Sequence, residues 1–242
     1  MEGDPLSPFV NGRLCVRCLT LDEAVNNPDR VKYPMKRVGE RGENKWTRIS
    51  WDEAFDTLEK EVRKVWDEYG GFTTHASSDA LLKAMESDEP FPIRMVWIET
   101  SNTLACPAMD APRVFNAMKR VPFVVNAGPF ITPISVACAD MLLPVAMSAE
   151  RNSCRTWWTP VRSISKACSY YEAKSDEEVM LEMGKRLNPE YWPWKDDVEM
   201  MDWYLSDCTL PDPTLFNEKP TNLSLESAKG NTPYGWCLLS RP

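Results

Sequence analysis

One long amphipathic helix is the feature that most constrains the fold of this chain. The tetrapeptide Ser50–Glu53 has the order of a capping box, in which the first hydroxyl and the last carboxylate each bond the backbone of the other residue. The pattern ends at Gly70, and before it the apolar residues recur every three or four positions, at Trp51, Ala54, Phe55, Leu58, Val62, Val65, Trp66 and Tyr69. This spacing predicts a helix over 51–69 whose apolar stripe faces a core.

Short apolar runs alternate with helical patterns after Pro92. The expected strands are Ile93–Ile98, Phe123–Val125 and Met141–Leu143, and the expected helices between them are Asp110–Lys119 and the turn Ser135–Ala139. This alternation predicts an α/β fold: an irregular N-terminal segment and the long helix, then a partial Rossmann-like parallel sheet with crossover helices.

Two further helices are expected outside this α/β pattern. Within the first 47 residues, which otherwise read as loops, only the short helix Leu21–Val25 is expected. A second capping box, Ser175–Glu178, opens a helix that ends near Leu187.

Charge and hydropathy exclude several classes of function. The net charge of −8 gives no attractive field for a phosphate backbone, so the sequence predicts no nucleic-acid partner. No apolar run reaches the roughly 20 residues of a membrane-spanning helix. The first residues also lack the basic and apolar regions of a signal peptide, so the chain as given is expected to be cytoplasmic.

Cys15 and Cys18 have the C-x-x-C spacing that often holds a metal or a disulfide. A structural zinc site requires a second pair, and the other six cysteines are scattered singly. A redox dithiol remains an alternative, although it normally lies where a strand meets a helix, and Pro8–Leu14 is a poor strand.

Polar residues follow two of the predicted strands. Ser101 and Asn102 come after the first strand, and Thr132 comes after the second. Ligands of open α/β sheets bind at the carboxyl ends of parallel strands, so these residues are candidates for ligand contact. The alternative is ordinary turn capping by Ser, Asn and Thr.

Two separate parts of the chain resemble the large molybdopterin-dependent oxidoreductases of the dimethyl sulfoxide reductase family. The first part comprises Glu2–Cys15, Asn27–Arg30, Tyr33–Gly42 and Trp46–Ala54. The second comprises Pro92–Asn102, Phe130–Pro133, Ala139–Pro144, Glu150-Arg151 and Glu172–Asp176. The sequence of this second part is similar to that of the gut-bacterial enzymes that act on catechol-like substrates. Together the two parts cover most of residues 2–205.

The resemblance implies cofactors and their contacts. Family members use a bis-molybdopterin guanine dinucleotide and a [4Fe–4S] cluster, in which a cysteine at the position of Cys15 is the last of four ligands. The other three ligands are expected before Met1, and Cys18 stands where the family has glycine. Arg17 occupies a basic position between cluster and pterin, and the remaining cofactor contacts are expected at Ser101, Asn102, Thr132 and Asp140.

Departures from the family pattern imply lost activity. Between Tyr69 and about Ala80 the chain jumps from an early family region to a late one, omitting the middle that carries the molybdenum ligand. The resemblance therefore implies a truncated and internally deleted catalytic subunit, inactive alone. Three parts are expected: a remnant of the iron–sulfur and pterin domain (1–72), a partial α/β dinucleotide-binding domain (73–205) and a mobile tail (206–242).

Partners and alternatives follow from the same comparison. The parent enzymes act on a small organic substrate, can pass electrons to an iron–sulfur subunit, and in full length are exported in some cases. A second hypothesis is a non-catalytic α/β module that binds a partner through the apolar stripe of helix 51–69, left exposed by the deletion. A third is dithiol redox work by Cys15 and Cys18.

Overall fold

The computed structural model describes residues 12–14, 19–69, 77–99, 101–102, 110–155, 162–164 and 166–206. The chain divides into two compact units. The sheet unit comprises Asp29–Val145 with Tyr171–Ala173, and the second unit comprises Met1–Pro28, Ala146–Tyr170 and Lys174–Pro242. The expected mobile tail lies almost wholly outside the described residues. The domain boundaries at 72 and 205 stay a prediction.

Helices and short strands follow one another along the described chain. In order they are α1 (Leu21–Val25), β1 (Met35–Arg37), β2 (Trp46–Arg48), α2 (Trp51–Tyr69), α3 (Ser78–Ser87), β3 (Met95–Glu99), α4 (Ala111–Arg120), β4 (Phe123–Ala127), α5 (Pro133–Cys138), β5 (Met141–Leu143), β6 (Ser153–Arg155), β7 (Arg162–Ile164), α6 (Asp176–Leu187) and α7 (Asp197–Ser206). Short 3₁₀ turns cover Ser148–Glu150 and Pro189–Tyr191.

The sheet unit is built on a five-stranded mixed sheet in the order β2-β1-β5-β4-β3. Strands β3, β4 and β5 are parallel, with Val96 opposite Val124 and Val125 opposite Met141. Helices α4 and α5 connect them, as expected from the alternating pattern. The prediction of a partial parallel sheet with crossover helices is confirmed.

The N-terminal part of this sheet corrects the reading of residues 1–47 as loops around one helix. Strands β1 and β2 form an antiparallel hairpin, and β1 also pairs antiparallel with β5, placing Met35 opposite Leu142. Each strand is only three residues long and too short for a period of two to show in the sequence. Pairing with β5, more than a hundred residues later, determines their conformation.

Buried side chains cover both faces of the sheet. On one face, residues from β3, β4 and β5 join residues of α3, α4 and α5 in one hydrophobic cluster, which includes Ile98, Val124, Leu142, Met85, Met118 and Ile134. Alternation along the strands turns Val125 and Met141 to the opposite face, where both are fully buried. Burial on both faces explains why these strands read as continuous apolar runs.

Helix α2 extends over the predicted residues and contacts β3. The Ser50 hydroxyl accepts from the Glu53 backbone at 3.1 Å, as the capping box requires. Ala54, Phe55 and Leu58 are buried, whereas Trp66 is 63% exposed. The stripe is therefore covered in its first half, which corrects the hypothesis that its whole length is free to bind a partner.

The second unit contains the predicted capping box at the start of α6. The Ser175 hydroxyl accepts from the Glu178 backbone at 3.0 Å, and the Glu178 carboxylate accepts from the Ser175 N–H at 2.7 Å. Farther along α6, Gly184 lies directly against the ring of Trp192. In the part of the chain that the structure describes, no helix is long and apolar enough to cross a membrane.

Candidate functional site

The parallel strands β3, β4 and β5 place their carboxyl ends along one edge of the sheet. Ser101 and Asn102 follow β3, and the loop 128–132 follows β4. We call this part of the sheet unit the carboxyl edge. Three of the residues singled out from the sequence follow its strands: Ser101, Asn102 and Thr132.

Thr132 is held by a chain of hydrogen bonds that leads from a part-buried turn into the buried core. Its N–H donates to the Ser135 hydroxyl at 3.0 Å, and its own hydroxyl lies 2.9 Å from the same oxygen. The Ser135 hydroxyl donates to Asn126 Oδ1 at 2.6 Å, so the proton between the two hydroxyls comes from Thr132. The Thr132 oxygen therefore keeps lone pairs for an outside donor.

Sequence patterns did not single out Ser135 and Asn126 as residues of the candidate site. Both are buried, with exposed fractions of 0% and 5%. The sequence held one indication of this pair, the amide side chain of Asn126 within the otherwise apolar run Phe123–Ala127. A polar side chain in a buried strand needs a hydrogen-bond partner. Sequence alone could not identify that partner as a serine nine positions later.

Asn102 carries an unsatisfied atom at the carboxyl edge. Its side-chain oxygen is buried and accepts no hydrogen bond from any residue that the structure describes. A buried acceptor without a donor costs about 1–3 kcal/mol, so such an atom marks a place where a donor from outside would be stabilising. The adjacent Ser101 is exposed.

Asp140 lies at the opposite end of the parallel strands, where their amino ends meet. It directly precedes β5, and its N–H donates to the carbonyl of Val124, near the start of β4, at 2.7 Å. One carboxylate oxygen accepts from the Val124 N–H at 2.8 Å, and both oxygens accept from the Arg41 guanidinium. The structure therefore does not bring Asp140 together with Ser101, Asn102 and Thr132.

Arg37 lies beside this ion pair and caps α5. Its guanidinium donates to the carbonyls of Ala139 at 2.7 Å and of Ser135 and Val136 at 2.9 Å each. It also stacks on the Trp46 ring, with Cζ 4.3 Å from the ring centre. Burial lowers the pKa of Arg37 from its ordinary value, and the nearby Asp140 carboxylate opposes this shift.

The predicted iron–sulfur residues lie outside the described part of the chain. This applies to Cys15 and Arg17, and to Cys18 of the same C-x-x-C pair. Within the described ranges, no group of three or more His, Cys, Asp or Glu residues could hold a metal ion. The assignment of Cys15 as a cluster ligand stays a prediction, as does the dithiol alternative.

Comparison with known proteins gives matches to molybdopterin enzymes. Residues 30–87 match the family model described as molybdopterin oxidoreductase. The chain is 51% identical over 79 residues to the "Probable dimethyl sulfoxide reductase chain YnfF" of Escherichia coli (strain K12), covering 31% of this chain and 10% of that protein. It is 52% identical over 58 residues to the dimethyl sulfoxide reductase DmsA of the same strain, covering 24% and 7%.

A solved structure gives a further match. The acetylene hydratase from Pelobacter acetylenicus aligns with a TM-score of 0.47 and 26% identity over 52% of this chain and 18% of that one. The chain thus matches only a small part of the length of each relative. The resemblance to the molybdopterin oxidoreductases is confirmed, and it is carried by the segment 30–87.

Proposed function

We propose that this chain is part of a molybdopterin oxidoreductase catalytic subunit and that its carboxyl edge contacts the guanine dinucleotide form of the cofactor. The observation that carries the proposal is the buried side-chain oxygen of Asn102, after β3, which accepts no hydrogen bond from the described residues. Open α/β sheets bind nucleotide-like ligands at this edge. The family match over residues 30–87 supports a molybdopterin cofactor as the ligand.

Three side chains of the carboxyl edge offer polar groups to the nucleotide end of the cofactor. Asn102 offers a buried acceptor, and Thr132 offers the lone pairs of a hydroxyl whose proton is held by Ser135. Ser101 is exposed and directly precedes Asn102. When bound, the molybdenum–pterin group would supply the redox chemistry, while these residues bind and orient its nucleotide end.

Asp140 does not fit this role. Its carboxylate already accepts hydrogen bonds from Arg41 and from the Val124 backbone, at the amino ends of the strands. We therefore assign Asp140 to the fold of the sheet unit and retain Ser101, Asn102 and Thr132 as the cofactor contacts.

We further propose that the chain alone does not turn over a small organic substrate. A [4Fe–4S] cluster is held by four cysteines, and the resemblance supplies one, Cys15, within this sequence. In the parent enzymes the cluster would pass electrons to an iron–sulfur partner subunit. In this chain we expect neither cofactor to be complete.

The test is the cofactor content of the full chain purified from a host that makes molybdopterin. After denaturation, oxidised pterin is measured by fluorescence, and molybdenum and iron by mass spectrometry. We expect pterin in the wild-type sample and a marked loss in Asn102→Ala. Asn116→Ala, which removes an exposed amide on α4, is the matched control. A folded wild-type chain without pterin above the blank overturns the proposal.

A further inference from the structure

We infer that Arg37 and Arg41 are positioning residues for the carboxyl edge, although both lie at the opposite end of the sheet. The inference rests on the proposed function, because it concerns how Thr132 and its neighbours are held in place for binding. The two residues, which we call the arginine clamp, are Arg37, the last residue of β1, and Arg41, in the loop between β1 and β2. Each contacts the last turn of one crossover helix.

Arg37 contacts the last turn of α5 at several carbonyls. The Val136 and Ala139 carbonyls lie at the end of the helix, where carbonyls lack a donor within the helix, and the guanidinium donates to them while placing positive charge at the negative end of the helix. The Ser135 carbonyl also accepts from the Ala139 N–H at 3.3 Å. Gly42, from the β1–β2 loop, adds an N–H that donates to the Val136 carbonyl at 3.0 Å. The C-terminal end of α5 is thereby tied to the end of β1 and to the loop that follows it.

Arg41 contacts the last turn of α4. Its Nη1 donates to the Lys119 carbonyl at 3.0 Å, one residue before the end of the helix. Its other nitrogens donate to Asp140, just before β5. One side chain therefore joins α4 to β5, and the exposed fraction of that side chain is only 17%.

A single residue connects the clamp to the carboxyl edge. The Ser135 carbonyl accepts from Arg37 at 2.9 Å, while the Ser135 hydroxyl accepts from the Thr132 N–H at 3.0 Å. Helix α5 has only six residues, so its two ends are barely more than one turn apart. A shift of its last turn must therefore displace Ser135 and, with it, the Thr132 turn.

The experiment is hydrogen–deuterium exchange on the full chain carrying Arg37→Lys or Arg41→Lys. Lysine keeps the charge, but its single nitrogen cannot reach the several carbonyls that the planar guanidinium spans. For Arg37→Lys we expect the amides of Thr132 and Val136 to exchange about tenfold faster. Amides of β4 should be unchanged. For Arg41→Lys we expect faster exchange in the last turn of α4 and, more weakly, at Thr132.

Arg113→Lys is the matched control. Arg113 donates to both oxygens of Glu86 at 2.7 Å on the exposed surface of α4, away from the clamp. Its substitution should leave the Thr132 and Val136 amides unchanged. Equal exchange at these amides in wild type and Arg37→Lys overturns the inference. So does acceleration of the β4 amides to the same extent, because that result indicates only global destabilisation.

Affinity for guanosine monophosphate, the nucleotide part of the cofactor, gives the second readout. We expect Arg37→Lys to weaken binding about tenfold and Arg113→Lys to leave it unchanged. Unchanged affinity in Arg37→Lys despite faster exchange overturns the positioning role. If the wild-type chain does not bind the nucleotide, the proposed function fails. The exchange data then still decide whether the clamp positions the Thr132 turn.

Discussion

Arg41 and Asp140, 99 positions apart in sequence, form a two-point ion pair in which Nε donates to Oδ1 at 3.0 Å and Nη2 donates to Oδ2. Arg41 lies within the segment that matches the molybdopterin oxidoreductase family, and Asp140 lies well beyond it. Together with the pairing of β1 to β5, this contact joins the early and late parts of the sequence in one sheet. Buried side chains lie on both faces of this sheet.

Removing the Asp140 charge should destabilise the sheet unit. We expect Asp140→Asn to lower the free energy of unfolding by about 1.5–3 kcal/mol, because it weakens charge-assisted hydrogen bonds in a part-buried site. Urea denaturation measures the loss. Glu86→Gln weakens the exposed ion pair with Arg113 and should cost clearly less, because solvent screens that pair. Equal losses in the two variants would contradict the structural role of Asp140.

Helix α2 should be sensitive to substitution in its first half only. Leu58 is fully buried, so Leu58→Ala should cost about 2–5 kcal/mol through lost burial and a residual cavity. Trp66 is 63% exposed, and Trp66→Ala should change stability by less than about 0.5 kcal/mol. Chemical denaturation of both variants checks the contrast. A large loss in Trp66→Ala would show that its ring is covered in solution.

Gly184 should not tolerate a methyl group, although alanine usually stabilises a helix interior. A Cβ at this position would lie 2.0 Å from the Trp192 ring. We expect Gly184→Ala to cost about 1–3 kcal/mol, the usual effect of overpacking. In Trp192→Ala the same substitution should be neutral or stabilising, because the ring is gone. A double-mutant cycle that finds no coupling between the two positions would rule out this packing.

Asp197 should make stability depend on pH. Burial and, to a lesser extent, the Glu178 carboxylate raise the pKa of Asp197 above its ordinary value. A carboxyl with a raised folded-state pKa favours folding when protonated, and this contribution is lost as pH rises through that pKa. Asp197→Asn should therefore raise the melting temperature most at neutral pH.

The Asp197→Asn advantage should shrink as pH falls toward the unfolded-state pKa of aspartate, about 4. Melting curves of wild type, Asp197→Asn and the exposed-site control Glu190→Gln over this range provide the check. A constant difference between wild type and Asp197→Asn across the range would show that ionisation of Asp197 does not govern it.

Sequence patterns predicted the elements with strong local signals. Helix α2 has a capping box and a long stripe, and it begins and ends where expected. Strand β3 was expected over Ile93–Ile98 but runs from Met95 to Glu99, since an apolar run fixes a strand's existence better than its ends. Helices α3 and α7 were not expected, because neither follows a capping box as clear as that before α2 or α6.

The candidate site could be predicted only by position. The rule that ligands bind at the carboxyl ends of parallel strands selected Ser101, Asn102 and Thr132 without any knowledge of their contacts. It could not reveal that Ser135 and Asn126 hold Thr132, because that chain depends on packing of α5 against β4. Asp140 was selected through family resemblance, and its position before β5 became clear only from the strand pairing.

The most direct test of the proposed function is calorimetric titration of the full chain with guanosine monophosphate. We predict saturable binding that Asn102→Ala and Thr132→Val each weaken about tenfold, because each loses one acceptor. Asn116→Ala and Thr57→Val, which remove an amide and a hydroxyl elsewhere, should bind as wild type does. A folded wild-type chain that takes up no nucleotide, or the same affinity in all five proteins, would contradict a cofactor contact at the carboxyl edge.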